Sequence, residues 1–286
     1  MKVALKIAYD GSTFAGFQRQ PKVLTVQGCL EQALSQVLRQ PVTLQGAGRT
    51  DVGVHATGQV VSFLLEREVA IARLCHSVNA VLREPVVVTE GALLGADDPF
   101  HARFSALSRT YRYFILDGCG PAEEMLWSSK AWCLPRGLDL EEAQRAAELF
   151  LGEQDFSTFS YRMSDKPTRV RTVREIGLGF EPAPTFLTPR LEPRLLTLSI
   201  TADGFLRRMV RLIVAAVAEV GMGERTRESV KQLLEARDPS RLPHPAPPEG
   251  LYLAHIGYEP DPFETLRGTD RHAVARLPMK HRFRNL

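Results

Sequence analysis

Apolar residues recur along this chain at two spacings, and the order of those spacings is written twice. Val3, Leu5, Ile7 and Tyr9 alternate with small or charged residues, the period of a strand with one buried face. From Thr25 to Arg39 the apolar positions Val26, Leu30, Ala33, Leu34, Val37 and Leu38 fall at helical spacing, with Thr25 as N-cap and Pro41 as stop. The pattern then predicts strands over 42–46 and 59–65, a helix over 70–82 and a strand over 85–94. After the loop GADDPFHARFSA a second series is predicted: a strand over 107–116, a helix over 140–151, and strands over 169–180 and 194–201. Helices over 204–220 and 227–236 and a strand over 251–258 complete it. The order βαββαβ thus occurs twice, without a repeat of the residues themselves, and predicts an α+β protein of two ferredoxin-like halves. The expected division is 1–104, 105–260 and a tail over 261–286.

Composition narrows the function classes. With 286 residues, 44% hydrophobic and 24% charged, the chain is ordinary for a globular protein. MKVALKIAYD has no unbroken apolar run to serve as a signal peptide, and no stretch approaches the roughly 20 apolar residues that span a bilayer, so a cytoplasmic location is expected. Cys29, Cys75, Cys119 and Cys133 form no CxxC pair and have no histidines at ligand spacing, which predicts reduced thiols and no zinc site. The net charge is only +3, but arginines far outnumber lysines. Arginine binds phosphate bidentately and stacks on bases, which suits RNA, although a GC-rich genome would leave the same imprint. The tail over 261–286 holds six Arg or Lys against three Asp or Glu, so the rest of the chain is neutral overall. PSRLPHPAPPEG, with five prolines, and EPAPTFLTPRLEP are expected to be irregular.

Three segments carry candidate chemistry. GAGRTDVGVHATGQV runs from Gly46 to Val60 and lacks both the third glycine of a dinucleotide loop and the GK[ST] of a phosphate loop. Asp51 and Gly53 could simply form a turn, yet the connection is longer than a hairpin needs and keeps Arg49, Asp51, His55 and Gln59 close together. In FSALSRTYRYFILD, Arg109, Tyr111 and Tyr113 share one face of the predicted strand, an arrangement able to stack a base and hold phosphates. A core position is the better reading for Tyr113. In DGFLRRMVRLIVAAVAEVGMG, residues 213–218 are apolar all round, so the helix is expected to be buried. Arg207 and Arg208 suit a solvated or RNA-facing first turn. Arg211 lies deepest and needs a partner, since an unpaired buried charge costs several kcal/mol, and Asp51 is the natural candidate.

GRTDVGVHATGQV, FHARFSALSRTYRYFI, GFLRRMVRLIV and EGLYLAHIGY, in this order, resemble the motifs of the TruA-type tRNA pseudouridine synthases, and AYDGSTFAGFQRQP resembles the family's opening. The resemblance covers residues 3 to about 258. Asp203 stands where the family commonly has asparagine and Ala215 where it usually has glycine, and the tail has no counterpart. The resemblance implies a homodimeric isomerase, without metal or cofactor, that converts uridine to pseudouridine at positions 38, 39 and 40 of the tRNA anticodon stem-loop. It also implies that the two halves join in one extended, mostly antiparallel sheet with helices on one side and the active-site cleft between the halves. By the same resemblance Asp51 is the nucleophile, attacking ribose C1′ or uracil C6, Arg211 its partner, and Tyr111 the residue against the target base. Arg49 would help draw the uridine from its stack. His55 and Gln59 shape the loop or contact RNA, Arg208 and Arg109 contact the substrate, and Leu251 with Leu253 forms an apolar wall or simply core. The Arg- and Lys-rich run from Arg162 to Arg174 is expected to meet tRNA phosphates. A non-catalytic RNA-binding module would share the aromatic strand but not need Asp51, and a paralogue modifying uridine in another RNA is a third reading.

Overall fold

The computed structural model describes residues 1–161, 168–181, 194–241, 244–264 and 273–276. The chain divides into two compact units, Met1–Leu107 with Ile256–Leu286, and Ser108–His255.

The first unit contains β1 (Lys2–Tyr9), α1 (Val26–Leu38), β2 (Gln45–Gly46), β3 (His55–Leu64), α2 (Ile71–Val81) and β4 (Val86–Leu94). β1 lies between β4 and β3, antiparallel to both, and β2 pairs with β3. The order β4-β1-β3-β2 is the ferredoxin-like arrangement predicted from the element order. Thr25 caps α1 as expected, its hydroxyl accepting from the Gly28 N–H at 3.3 Å, and Arg39 ends the helix in the left-handed conformation. β2 is shorter than the predicted 42–46 because two backbone donors there turn to α1. The Val42 N–H bonds to Ser35 Oγ at 3.0 Å, and the Leu44 N–H to the buried carboxylate of Glu31 at 2.9 Å. One further strand lies in the tail: β11 (Ala273–Arg276) pairs antiparallel with β4 from Ala273 opposite Leu93 to Arg276 opposite Glu90. Its four residues sit in a basic stretch, too short to show a period.

The second unit contains β5 (Ser108–Asp117), α3 (Pro121–Trp127), β6 (Trp132–Leu134), α4 (Leu140–Glu148), β7 (Gly152–Asp155), β8 (Val170–Glu181), β9 (Arg194–Ala202), α5 (Met209–Gly221) and α6 (Arg227–Ala236). Strand β10 (Leu251–Gly257) follows. The order β10-β5-β9-β8 repeats that of the first unit, with β7 added beyond β8 and β6 parallel to the end of β5. The β5–β9 ladder runs unbroken from Arg109 opposite Ala202 to Asp117 opposite Arg194. α3, β6 and β7 are too short to have been read from periodicity, and α3 buries none of its residues. α5 begins five residues later than predicted, because Arg208 adopts a left-handed conformation (φ 59°, ψ 9°) that closes the preceding turn before the helix starts. From there α5 is buried nearly throughout, as its apolar composition predicts. It packs closely on α4 at Gly221, where a Cβ would lie 2.7 Å from Leu138 Cδ2 and 3.1 Å from Ala143 Cβ. The segment 181–193 falls almost wholly outside the described residues, as do 162–167 of the basic run and most of the tail. Among the described residues no helix is long and apolar enough to cross a membrane.

Candidate active site

The connection from β2 to β3 in the first unit is held from several sides. Thr50 is its anchor: the Phe17 N–H bonds to the Thr50 carbonyl at 3.1 Å, and its hydroxyl meets Tyr9 Oη at 2.8 Å. Gly16 permits that approach, since it has φ +96° and its Cβ position lies 3.0 Å from the Thr50 carbonyl. On the other flank Gln59 is fully buried; its amide donates to the Gly48 carbonyl at 2.8 Å while its Oε1 accepts from the Val60 N–H at 3.1 Å. The Ala47 N–H closes the base of the loop on the Val60 carbonyl at 2.8 Å, and the Val54 N–H bonds to the Asp51 carbonyl at 3.2 Å.

These bonds hold the backbone on both sides of Asp51, whose side chain is half-buried between exposed Arg49 and exposed Val52. Among the described residues of its own unit, none hydrogen-bonds to or pairs with the Asp51 carboxylate. His55 is buried; its Nδ1 accepts from the Gly11 N–H at 3.1 Å and lies 3.1 Å from Asp10 Oδ1. Gln59 and His55 therefore act in this structure as braces of the loop. Tyr9, Gly16, Phe17 and Thr50 brace it too. For Tyr9, Gly16 and Phe17 the sequence signal is AYDGSTFAGF, in which two glycines and two phenylalanines follow Tyr9 with no periodic role; Thr50 lies in GRTD itself.

In the second unit Arg109, Tyr111 and Tyr113 share one face of β5, but at different depths. Tyr113 is fully buried, bonded through its hydroxyl to the Pro247 carbonyl at 2.8 Å and packed edge-on to Trp132, as expected of a core residue. Burial pushes its phenol well above the usual range. Tyr111 is 9% exposed and stands edge-on to Phe205, with ring centroids 5.2 Å apart. Arg109 reaches the Asp203 carbonyl at 2.9 Å. Arg211, on the first turn of α5, is 9% exposed, and its Nε donates to the Ala246 carbonyl at 2.6 Å. The Ala246 N–H returns a bond to the Arg211 carbonyl at 3.0 Å, which pins the proline-rich segment to α5. Arg208 lies over the ring of Tyr161 at 4.2 Å and Arg207 over the same ring at 5.4 Å, a shared cation–π stack that spacing alone could not reveal. Leu251 and Leu253 are buried. Of the basic run, Arg171 is buried, with Nη1 bonded to the Thr168 and Val170 carbonyls; Arg174 is exposed. Among the described residues no cluster of His, Cys, Asp or Glu is placed to hold a metal ion.

A braced loop carrying an aspartate, a tyrosine-bearing strand and an arginine on a buried helix are the parts that the sequence motifs name. A model of the tRNA pseudouridine synthase family matches residues 6–95 and 146–259, which take in the braced loop and α5. The chain belongs to this family. Its members are isomerases that convert uridine in tRNA to pseudouridine. The tRNA pseudouridine synthase A of Acetivibrio thermocellus is 36% identical over 256 residues, covering 90% of this chain and 99% of that protein. The enzyme of the same name from Cereibacter sphaeroides is 40% identical over 263 residues, 92% and 98% of the two chains. That from a Thermotoga species is 38% identical over 256 residues, 89% and 98% of the two chains.

Proposed function

We propose that this chain converts uridine to pseudouridine at positions 38, 39 and 40 of the tRNA anticodon stem-loop, with Asp51 as the nucleophile. The observation that carries the assignment is the bracing around Asp51, which fixes the backbone on both sides of a half-buried carboxylate. The reaction breaks the C1′–N1 bond of a uridine, turns the base and forms a C1′–C5 bond; C5 loses a proton and N1 takes one up. One carboxylate is enough to attack carbon and hold the base or sugar covalently while the base turns. The attack is at ribose C1′ or at uracil C6. Arg211 is assigned to keep Asp51 ionised and aimed, and Tyr111 to pack on the base and relay the C5 proton. Arg49 is assigned to help draw the target uridine out of its stack. Arg208 and Arg109 are assigned to tRNA contact, with Leu251 behind the base. The enzyme is proposed to work without metal or cofactor, as a homodimer in the cytoplasm.

The test is Asp51→Asn, assayed by release of label from uracil C5 in anticodon stem-loops and, separately, by tRNA affinity. Conversion is expected to fall to background with affinity within about twofold of the parent protein. Turnover by the variant would remove Asp51 from the chemistry. Replacing uridine by cytidine at each of the three positions in turn maps the target, and light scattering reports the oligomer.

A further inference from the structure

The segment Phe100 to Ser105 in the first unit holds an aromatic side chain out in solvent on a rigid support. Phe104 is 76% exposed, in a protein whose phenylalanines otherwise furnish much of the core. Its loop is not loose. The His101 carbonyl accepts from the Ser105 N–H at 3.0 Å, and Ser105 Oγ accepts from the His101 N–H at 3.0 Å. His101 Nδ1 accepts from the Arg103 and Phe104 N–H groups at 3.1 and 3.3 Å, which places the ring proton on Nε2 when the ring is neutral. Ala102, wholly buried, is tied to the sheet and its flank: its N–H donates to Ser62 Oγ at 3.1 Å and its carbonyl accepts from Tyr258 Oη at 2.7 Å. The Phe104 ring leans on His101, with centroids 4.5 Å apart and planes 34° from parallel, and the Arg103 guanidinium sits 5.5 Å from its centroid. Lys2, which bonds to the Asp98 carbonyl, adds a second cation near His101.

An exposed ring flanked by a guanidinium is what a protein offers to an unstacked nucleobase and its phosphate, because every base has a π-face and every nucleotide a negative charge. The substrate of this family is RNA. We propose that Phe104 is a stacking platform for an unpaired base of the tRNA substrate, with Arg103 meeting the adjoining phosphate. The platform rests on tRNA being the substrate and is independent of which residue attacks the uridine. It acts as a positioning site: it holds RNA and touches no reacting atom.

Phe104→Ala, Phe104→Leu, Phe104→Trp and Arg103→Ala test it in the full chain, by fluorescence anisotropy with tRNA and by steady-state turnover. Loss of one stacked base is expected to raise Kd and KM roughly ten- to hundredfold in Phe104→Ala, with kcat little changed. Phe104→Leu should weaken binding almost as much, since it keeps the apolar character but not the ring, and Phe104→Trp should restore it. Arg103→Ala should lower the slope of log Kd against log salt by about one. Thermal unfolding serves as the folding control, and Phe104→Leu covers the case in which alanine disturbs the loop. Affinity within twofold of the parent in Phe104→Ala, or parental affinity in Phe104→Leu, would overturn the proposal. So would a changed molecular mass of Phe104→Ala in light scattering, which would make this face a protein contact. Because affinity is read apart from turnover, a failure here is distinct from a failure of the Asp51 assignment.

Discussion

Gln59 is the residue at which chemistry and architecture meet. The motif places it among the residues that shape the loop or contact RNA, and its amide is wholly buried with one hand on Gly48 and the other on the Val60 N–H. A leucine of similar size would leave the Gly48 carbonyl without this donor and the Val60 N–H without this acceptor. Leaving a buried polar group unmade costs about 1–3 kcal/mol. Gln59→Leu is therefore expected to lower the unfolding free energy by that order and to lower kcat through a loosened Asp51 loop, with little change in tRNA affinity. Denaturant titration and single-turnover kinetics separate the two effects. A variant with unchanged stability and a raised tRNA Kd would instead make Gln59 a direct RNA ligand. At this scale the motif residues were legible, because Arg49, Asp51, His55 and Gln59 fall within one short segment. The braces from outside the motif were not: Tyr9 and Phe17 reach the loop, and in the second unit Arg208 reaches Tyr161, through backbone turns that bring distant segments together, and no spacing encodes those contacts.

Elements that bury a whole face were readable for the opposite reason. β1, α1, α2 and β9 each repeat their apolar period long enough to declare it, and both halves return their strands in the same order. Elements of three or four residues, such as β6, β7 and β11, owe their pairing to a neighbour and carry no period of their own. The α4–α5 contact shows how much a helix's sequence can hide. Gly221 ends α5, where alanine would ordinarily favour the helix by about 1 kcal/mol. Here a Cβ would press on Leu138 Cδ2 at 2.7 Å, Ala143 Cβ at 3.1 Å and the Asp139 carbonyl at 3.2 Å. The Asp139 N–H also bonds to the Gly221 carbonyl at 2.9 Å, so the backbone has little room to withdraw. Gly221→Ala is expected to destabilise the protein by about 1–3 kcal/mol, the cost of overpacking, despite its gain in propensity. A midpoint of denaturation at or above that of the parent would mean that α4 and α5 separate without cost.

For the molecule as a whole, the four thiols contribute to the response to alkali, as does buried Tyr113 at higher pH. Burial pushes the Cys29 and Cys75 thiols up to about 11 and Cys119 up to about 12, and raises Cys133 also; hydrogen bonding with Cys133 adds to the rise at Cys119. A thiol freed by unfolding ionises near its ordinary value of about 8.5. Between that value and about 11 the folded chain therefore holds more protons than the unfolded chain. Stability in this window must fall as pH rises, since its slope follows the protons bound by the unfolded state minus those bound by the folded one. The stabilisation from these groups is fully present below the ordinary thiol range and is lost as pH climbs toward the raised values. Each fully buried thiol can contribute a slope of up to about 1.4 kcal/mol per pH unit. Urea unfolding at pH 7.5, 9 and 10.5 is expected to show the fall, and Cys75→Ala to make it shallower. The slope is the quantity to compare, because alanine also leaves a gap in the core and lowers stability at every pH. The same burial predicts that Ellman's reagent labels the folded protein slowly at pH 8 and all four thiols at once in denaturant. An unaltered slope in Cys75→Ala, or rapid labelling of the native protein at Cys75, would mean that this thiol is reached by solvent in the folded state.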